Sequence, residues 1–424
     1  MELLKITPSK LEGTISNIPS SKSFAHRAIT CAMLSNEKSE INNVYFSEDV
    51  LATLDAARAL GSDIKICGNK VIIKPKTQTP KYAEINCMES ASTLRFLVPV
   101  FAALGIKCKF IGEPSLSSRP ISPLIQCLEY GKVHCISSGG LPLEIDGKLQ
   151  PGSFKVPGSV SSQFISGLLF ALPILKKDSD IVITSKIESI PYINMTINTL
   201  EKFGITIEKT PLGFHVPGNQ TYQATNFYVD SDWSQAAFFM SAGTLGANIS
   251  INNMNLSSIQ GDIEVLNILK RFGGKLYNHE GSLSMQAQIL HGIDIDASQI
   301  PDLVPILAVV ASAAKGKTHI YSANRLRFKE CNRLKAIQDA LNEVGGCVKE
   351  FDDGLIIYGC DKFHGGTVET YGDHRIIMSM AIASISSDKP IYIKDFGGVK
   401  KSYPTFFKDF KSIGGIIDVV NLGK

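Results

Sequence analysis

The chain has 424 residues, of which 44% are hydrophobic and 20% charged, and its formal net charge is +3. The length predicts two or more domains, the composition excludes a disordered chain, and the small net charge argues against a nucleic-acid-binding surface. Nine scattered cysteines without a Cys-x-x-Cys pair favour reduced thiols and argue against a zinc site. The longest apolar run, residues 303–314, is too short to cross a bilayer, and residues 1–6 lack a targeting pattern, so we expect a cytoplasmic protein.

The first predicted unit, residues 21–76, contains two helices and three strands. Ser20 or Ser21 caps an apolar helix, an alternating strand follows, and Ser47 caps a second helix whose first turn is acidic. Gly61 supplies the left-handed residue that ends the second helix, and a hairpin follows it. With a strand before the first helix, the unit predicts the order βαβαββ.

The same order recurs along the chain. A polar helix start before an apolar run occurs at Ser21, Ser90, Ser161, Asp232, Asp302 and Asp373, in steps of 69, 71, 71, 70 and 71 residues. A glycine that ends a helix before a strand occurs at Gly61, Gly131, Gly204, Gly273, Gly345 and Gly414, in steps of 70, 73, 69, 72 and 69 residues. This period is longer than that of solenoid repeats, so each unit is predicted to be a small folded module.

The first helix of each module is apolar almost all round, most clearly in residues 164–175 and 303–310. Such a helix is buried on every side. The predicted fold class is therefore α/β, with two domains of three βαβαββ modules each, buried helices and a pseudo-sixfold repeat. Two such domains, face to face, direct six helix N-termini towards one cleft, where unpaired N–H groups favour an anion.

The predicted helix starts and nearby loops carry mainly cationic and hydroxyl side chains. The candidate residues are Lys22, Ser23, Arg27, Arg119, Ser161, Ser162, Gln163, Asp302, Lys329, Glu330, Arg333, His374, Arg375 and Lys401. Arginine forks suit phosphate and carboxylate groups, so a substrate with several negative charges is expected. Asp302 and Glu330 are the candidate acid and base.

Each candidate also has a structural interpretation. A Ser or Asp before an apolar helix is usually an N-cap, which is the preferred interpretation for Asp232. Lys22 and Arg27, taken alone, fit solvated surface charges, and residues 329–333 fit an ion-pair cluster on a helix surface. His374 fits a structural histidine. The recurrence of such residues at equivalent points of a repeat favours a functional site.

Nine segments carry a family resemblance over nearly the whole chain. They are Pro19-Ser20-Ser21-Lys22-Ser23 with Arg27, Leu116-Ser117-Ser118-Arg119-Pro120, Val160-Ser161-Ser162-Gln163, Pro191-Tyr192, Gln260-Gly261-Asp262, Pro301-Asp302, Lys329-Glu330 with Arg333, Asp373-His374-Arg375, and Lys401-Ser402-Tyr403-Pro404. Together they resemble the enolpyruvyl transferase family, in particular the branch that acts on shikimate 3-phosphate. The resemblance implies two inside-out α/β domains joined by a two-stranded hinge, residues 1–17 with 231–424 and residues 18–230, with the active site in the interdomain cleft.

The resemblance implies transfer of the enolpyruvyl group of phosphoenolpyruvate to the 5-hydroxyl of shikimate 3-phosphate, by addition and elimination, in aromatic amino-acid biosynthesis. The implied catalytic residues are Lys22, Asp302, Glu330, His374 and Lys401. Implied contacts to shikimate 3-phosphate come from Lys22, Ser23, Arg27, Ser161, Ser162, Gln163, Ser189, Tyr192, Asp302 and Lys329. Implied contacts to phosphoenolpyruvate come from Lys22, Ala91, Arg119, Gln163, Arg333, Arg375 and Lys401. The expected partners are these two small molecules alone, with no metal, cofactor, nucleic acid or membrane, and the protein is expected to be a monomer.

Three positions depart from the family pattern. Ala91 stands where the family usually has Gly, and its methyl group narrows the phosphoenolpyruvate pocket, which in this family accompanies tolerance of the inhibitor glyphosate. Asn332 replaces an Asp next to Arg333, so a carboxylate near that arginine is missing. Ile190 replaces a Lys or Arg before Pro191, which removes one possible contact to the shikimate ring.

Two alternative functions remain on the same scaffold. A sister enzyme transfers enolpyruvate to UDP-N-acetylglucosamine, but there an Asn follows the first-helix Lys and the active-site loop carries a Cys. Here Ser23 follows Lys22, and residues 112–119 contain no Cys. The other alternative is a catalytically silent sugar-phosphate sensor, since a fold does not fix a function. Asp302 and Glu330 argue against it, because a protein that only binds anions gains nothing from carboxylates in its site.

Overall fold

The structure, a computed structural model, describes residues 2–75, 78–287 and 289–421; residue 76, the last of the first predicted module, lies outside them. The chain divides into two compact units, one formed by Met1–Pro19 and Ser231–Lys424 and the other by Ser20–Asp230. Each unit contains one large cluster of buried hydrophobic side chains. The location of the active site in a cleft between domains stays a prediction.

The strands of the described residues are short. They are β1 (Glu2–Thr7), β2 (Glu12–Ile15), β3 (Ser39–Asn42), β4 (Asp63–Cys67), β5 (Lys70–Lys74), β6 (Tyr82–Asn86), β7 (Lys107–Ile111), β8 (His134–Ser137), β9 (Leu143–Asp146), β10 (Ser153–Val156), β11 (Ser179–Ile183), β12 (Glu208–Thr210), β13 (Gly213–Val216), β14 (Asn226–Tyr228), β15 (Asn248–Ile251), β16 (Gly274–His279), β17 (Ser282–Ala287), β18 (Asp294–Asp296), β19 (Lys317–Tyr321), β20 (Cys347–Phe351), β21 (Gly354–Tyr358), β22 (Gly366–Val368), β23 (Ile391–Ile393) and β24 (Ile416–Asn421).

The helices lie between groups of these strands along the chain. They are α1 (Lys22–Leu34), α2 (Glu48–Ala59), α3 (Ala91–Leu104), α4 (Pro114–Ser117), α5 (Ser122–Tyr130), α6 (Ser162–Ala171), α7 (Ile190–Lys202), α8 (Trp233–Thr244), α9 (Val265–Phe272), α10 (Val304–Ser312), α11 (Arg333–Glu343), α12 (His374–Ala383) and α13 (Phe406–Ser412). Short 3-10 helices occur at Leu172–Ile174, Gly261–Glu264, Asn324–Phe328, Ser384–Ser386 and Phe396–Lys401. Among the described residues, no helix combines the length and apolar character needed to cross a membrane.

Within the described residues, six four-stranded sheets share one topology. In the Ser20–Asp230 unit the strand orders are β14-β3-β5-β4, β6-β7-β9-β8 and β10-β11-β13-β12, and in the other unit they are β2-β15-β17-β16, β18-β19-β21-β20 and β22-β23-β1-β24. In each sheet the first two strands are parallel and the remaining pairs are antiparallel. A buried helix directly joins the two parallel strands in four of these six sheets, as a parallel pair requires a crossover, and in the sheets that contain β2 and β14 the parallel strands are far apart in the chain. The predicted α/β fold with a sixfold repeat is therefore confirmed.

The helices that cross between parallel strands form the cores of the two units. Every residue of α8 and of α10 is buried, as the apolar sequences of these helices predict. The helices α3 and α6 approach each other closely at Gly167, where an added Cβ atom would lie 2.2 Å from the carbonyl oxygen of Arg95. Helices inside and sheets outside are the inside-out arrangement that the family resemblance implies.

Five of the six predicted helix caps are confirmed. The side chains of Ser21, Ser90, Ser161, Asp232 and Asp373 each accept a hydrogen bond from a backbone N–H in the first turn of the helix that follows. The prediction for Asp302 is wrong, since α10 begins one residue later with Leu303 as its cap residue. The carboxylate of Asp302 is bound to cationic side chains instead.

Residues 329–333, interpreted from the sequence as part of a helix surface, lie mostly before the helix. This helix is α11, which begins at Arg333, so Lys329 and Glu330 precede it. Asn332 is the cap residue, and its side-chain oxygen accepts a hydrogen bond from the backbone N–H of Lys335 at 3.3 Å. Asn and Asp are comparable N-caps, so the departure from the family pattern at Asn332 preserves the helix start.

Candidate active site

Arg333 is the centre of a buried charge cluster in the unit that contains α10 and α12. Its side chain is 1% exposed, and the guanidinium donates from Nε to Asp373 at 2.8 Å, from Nη1 to Asp302 at 3.0 Å and from Nη2 to Glu330 at 2.5 Å. Burial alone would lower the pKa of Arg333, but the three carboxylates raise that pKa well above its ordinary value. Arg333 is therefore a fixed positive charge that orients three carboxylates.

Asp302 binds three cations. Besides Arg333, its carboxylate accepts from Lys329 Nζ at 3.2 Å and from Arg375 Nη2 at 3.0 Å. Burial alone would raise the pKa of Asp302, but Arg375, Lys329 and Arg333 hold it well below its usual range. Burial lowers the pKa of Lys329, and Asp302 offsets part of that effect. An anion with so low a pKa is a weak base, so Asp302 is suited to orient a hydroxyl group by accepting its hydrogen bond.

The starts of α8 and α12 and the turn before α10 meet at Arg375. Its Nη2 also donates to Ser234 Oγ, in the first turn of α8, at 3.0 Å, and its Nη1 donates to the backbone oxygen of Asp302 at 3.0 Å. Its own backbone N–H donates to Asp373 Oδ1 at 2.9 Å. Arg375 thus connects the beginning of α12 to the turn before α10 and to the beginning of α8.

Two further predicted residues border this cluster. Lys401 is buried, with Nζ 3.9 Å from Glu330 Oε1. His374 is also buried, and its Nδ1 lies 4.0 Å from Asp373 Oδ1. We define the Arg333 cluster as Asp302, Lys329, Glu330, Arg333, Asp373, Arg375 and Lys401. It contains four cations and three carboxylates. Because Arg333 is buried and Lys329 and Glu330 precede α11, the alternative of an ion-pair cluster on a helix surface is wrong.

In the Ser20–Asp230 unit, Lys22 is held by a carboxylate. Its Nζ lies 2.6 Å from Asp49 Oδ2, and the side chains of Lys22 and Asp49 are 19% and 7% exposed. Lys22 is at the first turn of α1 and Asp49 at the first turn of α2, so the ion pair joins two helix starts. Lys22 is therefore not a solvated surface charge.

Arg27 joins α1 to the start of α7. Its Nε donates to Thr196 Oγ1 at 2.8 Å, its Nη1 to the backbone oxygen of Ser23 at 2.8 Å, and its Nη2 to that of Tyr192 at 2.9 Å. Burial lowers the pKa of Arg27 to about 10, which leaves it charged at neutral pH. Ser189, the cap residue of α7, is buried and has a left-handed backbone with φ of 56°. Arg27 therefore fixes the segment that carries Ser189 and Tyr192.

Arg95 fixes the start of α6 by hydrogen bonds, as Arg27 fixes the start of α7. Its Nη1 donates to Gln163 Oε1 at 2.9 Å and to Ser161 Oγ at 3.3 Å, and its Nη2 donates to the backbone oxygen of Pro120 at 2.8 Å. Gln163 Nε2 in turn donates to Ser92 Oγ at 2.9 Å. Because the amide oxygen of Gln163 is bound by Arg95, the remaining N–H of its amide group is the part that can meet an anion.

Three other predicted residues lie next to these groups along the chain. Ala91 and Ser162 are the first residues of α3 and α6, and both are buried. Arg119 is also buried, and it directly precedes Pro120, the residue that Arg95 holds. The sequence-predicted residues therefore fall into one set in each unit, the Arg333 cluster and the residues around Lys22, Arg27 and Arg95. That the two sets act on the same substrates stays a prediction.

A sequence model of one protein family, EPSP synthase (3-phosphoshikimate 1-carboxyvinyltransferase), matches residues 6–410. The chain belongs to the EPSP synthase family. A relative from Clostridium perfringens, named 3-phosphoshikimate 1-carboxyvinyltransferase, is 48% identical, over 98% of this chain and 99% of the relative. A relative of the same name from Clostridioides difficile is 46% identical over the whole of both chains. The solved structure of EPSP synthase from Acinetobacter baumannii matches with a TM-score of 0.83 and 26% identity, over 99% of this chain and 100% of that chain.

Membership of the EPSP synthase family decides between the functions left open by the sequence. It makes the chain a transferase of the shikimate pathway, which leads to the aromatic amino acids. The resemblance to enolpyruvyl transferases is thereby confirmed. The relatives that match over nearly their full length are named 3-phosphoshikimate 1-carboxyvinyltransferase. This finding disfavours both alternatives, the catalytically silent sensor and the sister enzyme that uses UDP-N-acetylglucosamine.

Sequence reasoning on this EPSP synthase family member missed Arg95 and Asp49. Arg95 lies within the apolar helix α3, and a charge in such a helix is almost always paired, so its position was the available signal. Asp49 was interpreted only as an acid that favours a helix start. Nothing in the sequence around Asp49 indicates that it pairs with Lys22, which is 27 residues away.

Proposed function

We propose that the chain transfers the enolpyruvyl group of phosphoenolpyruvate to the 5-hydroxyl of shikimate 3-phosphate and releases phosphate. The observation that carries the proposal is the family match over residues 6–410, which extends across both units. The charge of the candidate residues supports it. Phosphate and carboxylate groups on both substrates need several fixed cations, and arginine and lysine side chains supply them without a metal ion.

For phosphoenolpyruvate we propose the Arg333 cluster as the main set of contacts. Arg333, Arg375 and Lys401 are buried, so their charges act with little screening by water. From the other unit we add the buried Arg119 and Gln163, whose amide is oriented by Arg95. Lys22 and Ala91 complete the proposed set.

For shikimate 3-phosphate we propose the hydroxyl and amide groups at the helix starts. Ser161, Ser162 and Gln163 lie at the start of α6, where backbone N–H groups and the helix dipole favour a phosphate. Ser23, Arg27, Ser189 and Tyr192 are the proposed contacts on α1 and α7, and Asp302 and Lys329 those next to the reacting hydroxyl.

The proposed chemistry is an addition followed by an elimination. The 5-hydroxyl oxygen gives up its proton and bonds to C2 of phosphoenolpyruvate, while the C2–C3 double bond opens and C3 gains a proton, which gives a tetrahedral intermediate. Phosphate then leaves C2 and the methyl group loses a proton, which restores the double bond. Asp302 orients the hydroxyl, and Glu330, with Lys22, His374 and Lys401, exchanges the proton at C3. Glu330 suits this role because Arg333 holds one of its oxygens while Lys401 lies 3.9 Å from the other.

We further propose that Ala91 makes the enzyme tolerant of glyphosate. The Cβ atom of Ala91 belongs to the first residue of α3 and is buried, so it takes space where a glycine would leave a gap. An inhibitor bulkier than phosphoenolpyruvate then loses more binding energy than the substrate. We also propose that the protein acts as a monomer in the cytoplasm.

Steady-state kinetics with the two substrates tests the assignment of residues. A Lys22→Met enzyme is expected to lose most of its turnover, while Lys38→Met, which removes an exposed lysine of the same unit, is expected to behave as the parent. Full turnover by Lys22→Met would contradict the role of Lys22. Light scattering of the purified protein tests the monomer.

A further inference from the structure

Two bonds connect α1 and α2 in the Ser20–Asp230 unit. Lys22 and His26 are one helical turn apart on α1, and Asp49 and Thr53 are one turn apart on α2, so each pair lies on one face of its helix. Lys22 pairs with Asp49 at 2.6 Å, and His26 Nδ1 lies 2.7 Å from Thr53 Oγ1. The first bond is a partly exposed ion pair, and the second is a buried neutral one.

The neutral bond continues into α3. Thr53 Oγ1 lies 2.7 Å from Thr93 Oγ1, and Thr93 Oγ1 donates to Ser90 Oγ at 2.7 Å. Ser90 is the cap residue of α3 and also accepts from the backbone N–H of Thr93 at 3.2 Å. All four side chains are at most 1% exposed. We call His26, Thr53, Thr93 and Ser90 the His26 relay.

The direction of the protons in the relay follows from counting donors. A hydroxyl group has one proton to donate. Since Thr93 donates to Ser90, Thr53 must donate to Thr93, and Thr53 is left to accept from His26. The imidazole must therefore carry its proton on Nδ1.

A neutral ring is consistent with its surroundings. Burial lowers the pKa of His26 to about 3, and the charged groups that act on the ring are Asp49, which opposes the shift, and Lys22 and Arg27, which reinforce it. His26 thus remains an Nδ1–H donor throughout the range in which the enzyme is expected to work.

We infer that His26 is a positioning residue for the phosphoenolpyruvate site. As the donor at the head of the relay it fixes the rotamer of Thr53, and through Thr93 and Ser90 it fixes the start of α3 relative to α1. The start of α3 carries Ala91 and Ser92, and α1 carries Lys22. The predicted effect on phosphoenolpyruvate binding rests on the proposed function. The predicted position of the proton on His26 does not depend on that function.

The kinetic test uses a matched pair at Thr53. Thr53→Val keeps the shape but removes the hydroxyl, and Thr53→Ser keeps the hydroxyl. We expect Thr53→Val to raise KM for phosphoenolpyruvate about ten-fold, since a broken buried hydrogen bond is worth roughly that factor, with kcat and KM for shikimate 3-phosphate within about two-fold of the parent. Thr53→Ser is expected to restore the parent values.

Thr199→Val is the control for a buried threonine outside the relay, because Thr199 Oγ1 donates only to a carbonyl oxygen of its own helix α7 in the contacts described. It should leave both KM values unchanged. The inference is wrong if Thr53→Val has the parent's KM for phosphoenolpyruvate, or if both valine variants change both KM values alike, which would indicate general loss of packing.

A second measurement needs no activity. Nitrogen-15 NMR of the histidine-labelled protein, with the His26 signal identified by its loss in His26→Asn, should show a proton on Nδ1, none on Nε2, and no titration between about pH 7 and pH 5. A proton on Nε2, or a titration near the ordinary value, would overturn the relay. If the NMR result holds and the protein has no activity with the two substrates, then the proposed function fails while the relay stands.

Discussion

Replacement of Asp373 by Asn tests whether the Arg333 cluster is held together by buried charge. Asp373 is fully buried and accepts from Arg333 Nε at 2.8 Å and from Nη2 at 3.4 Å. Asn keeps the size of the side chain and caps a helix as well as Asp does, so the start of α12 should be retained. The change leaves one neutral oxygen in place of two charged ones and removes one of three carboxylates around a buried guanidinium.

The cost can be estimated from these contacts. Losing a buried ion pair outright costs about 3 to 5 kcal/mol, but Glu330 and Asp302 still pair with Arg333, so we expect a loss of about 2 kcal/mol, near the value of one charged hydrogen bond. For a unit of this size that corresponds to a decrease of roughly 4 to 8 °C in the unfolding midpoint. Because Arg333 is then less firmly held, KM for phosphoenolpyruvate should also rise.

Thermal unfolding and steady-state kinetics measure the two effects, with Asp339→Asn as the control. Asp339 forms an exposed pair with Lys335 at 2.8 Å, and such pairs contribute little, so this variant should unfold within about 2 °C of the parent. An Asp373→Asn protein with the parent's midpoint and KM would show that the Asp373 carboxylate does not hold the cluster together. Equal losses in both variants would contradict the prediction as well.

Acid should destabilise the protein through His26, because its pKa falls from 6.5 in the unfolded chain to about 3 in the folded one, so that the unfolded chain binds the extra proton. The free energy of unfolding should therefore fall by up to about 1.4 kcal/mol per pH unit from about pH 6.5 towards pH 3. Urea unfolding of His26→Asn should lack this component, and the same pH dependence of the unfolding free energy in both proteins would contradict the prediction. Arg95→Lys keeps the charge, but a lysine cannot bind Gln163, Ser161 and Pro120 at the same time. We expect kcat/KM to fall about a hundred-fold in steady-state assays, and an unchanged kcat/KM would contradict the positioning role of Arg95. Ala91→Gly should lower the inhibition constant of glyphosate against phosphoenolpyruvate more than it lowers KM, and equal inhibition of both proteins would remove the proposed cause of tolerance.

The repeat could be predicted from the sequence because every module obeys the same local rules. Each has to bury an apolar helix and to end its second helix before a strand, and both requirements leave marks at a fixed spacing. Gly61, Gly204, Gly273, Gly345 and Gly414 have the positive φ expected after a helix, although Gly131 does not. The topology of four sheets then follows, since a parallel pair needs the crossover that the buried helix supplies.

The detailed site could not be predicted because its contacts join residues far apart in the chain. Asp302 precedes an apolar run like a cap, but its partners Lys329, Arg333 and Arg375 lie 27, 31 and 73 residues away and take its carboxylate. Arg95 was missed for the same reason, since its partner Gln163 is 68 residues away. Local sequence patterns show where a polar side chain can cap a helix. Whether a distant cationic side chain binds that polar group instead becomes evident only in the folded chain.

Transfer of the enolpyruvyl group to shikimate 3-phosphate can be observed in a single assay. The purified protein is mixed with phosphoenolpyruvate and shikimate 3-phosphate in the presence of a chelator, phosphate release is followed, and the product is identified by mass spectrometry. We predict release of phosphate together with the enolpyruvyl adduct of shikimate 3-phosphate. No release with shikimate 3-phosphate, whether or not UDP-N-acetylglucosamine is turned over instead, would contradict the account.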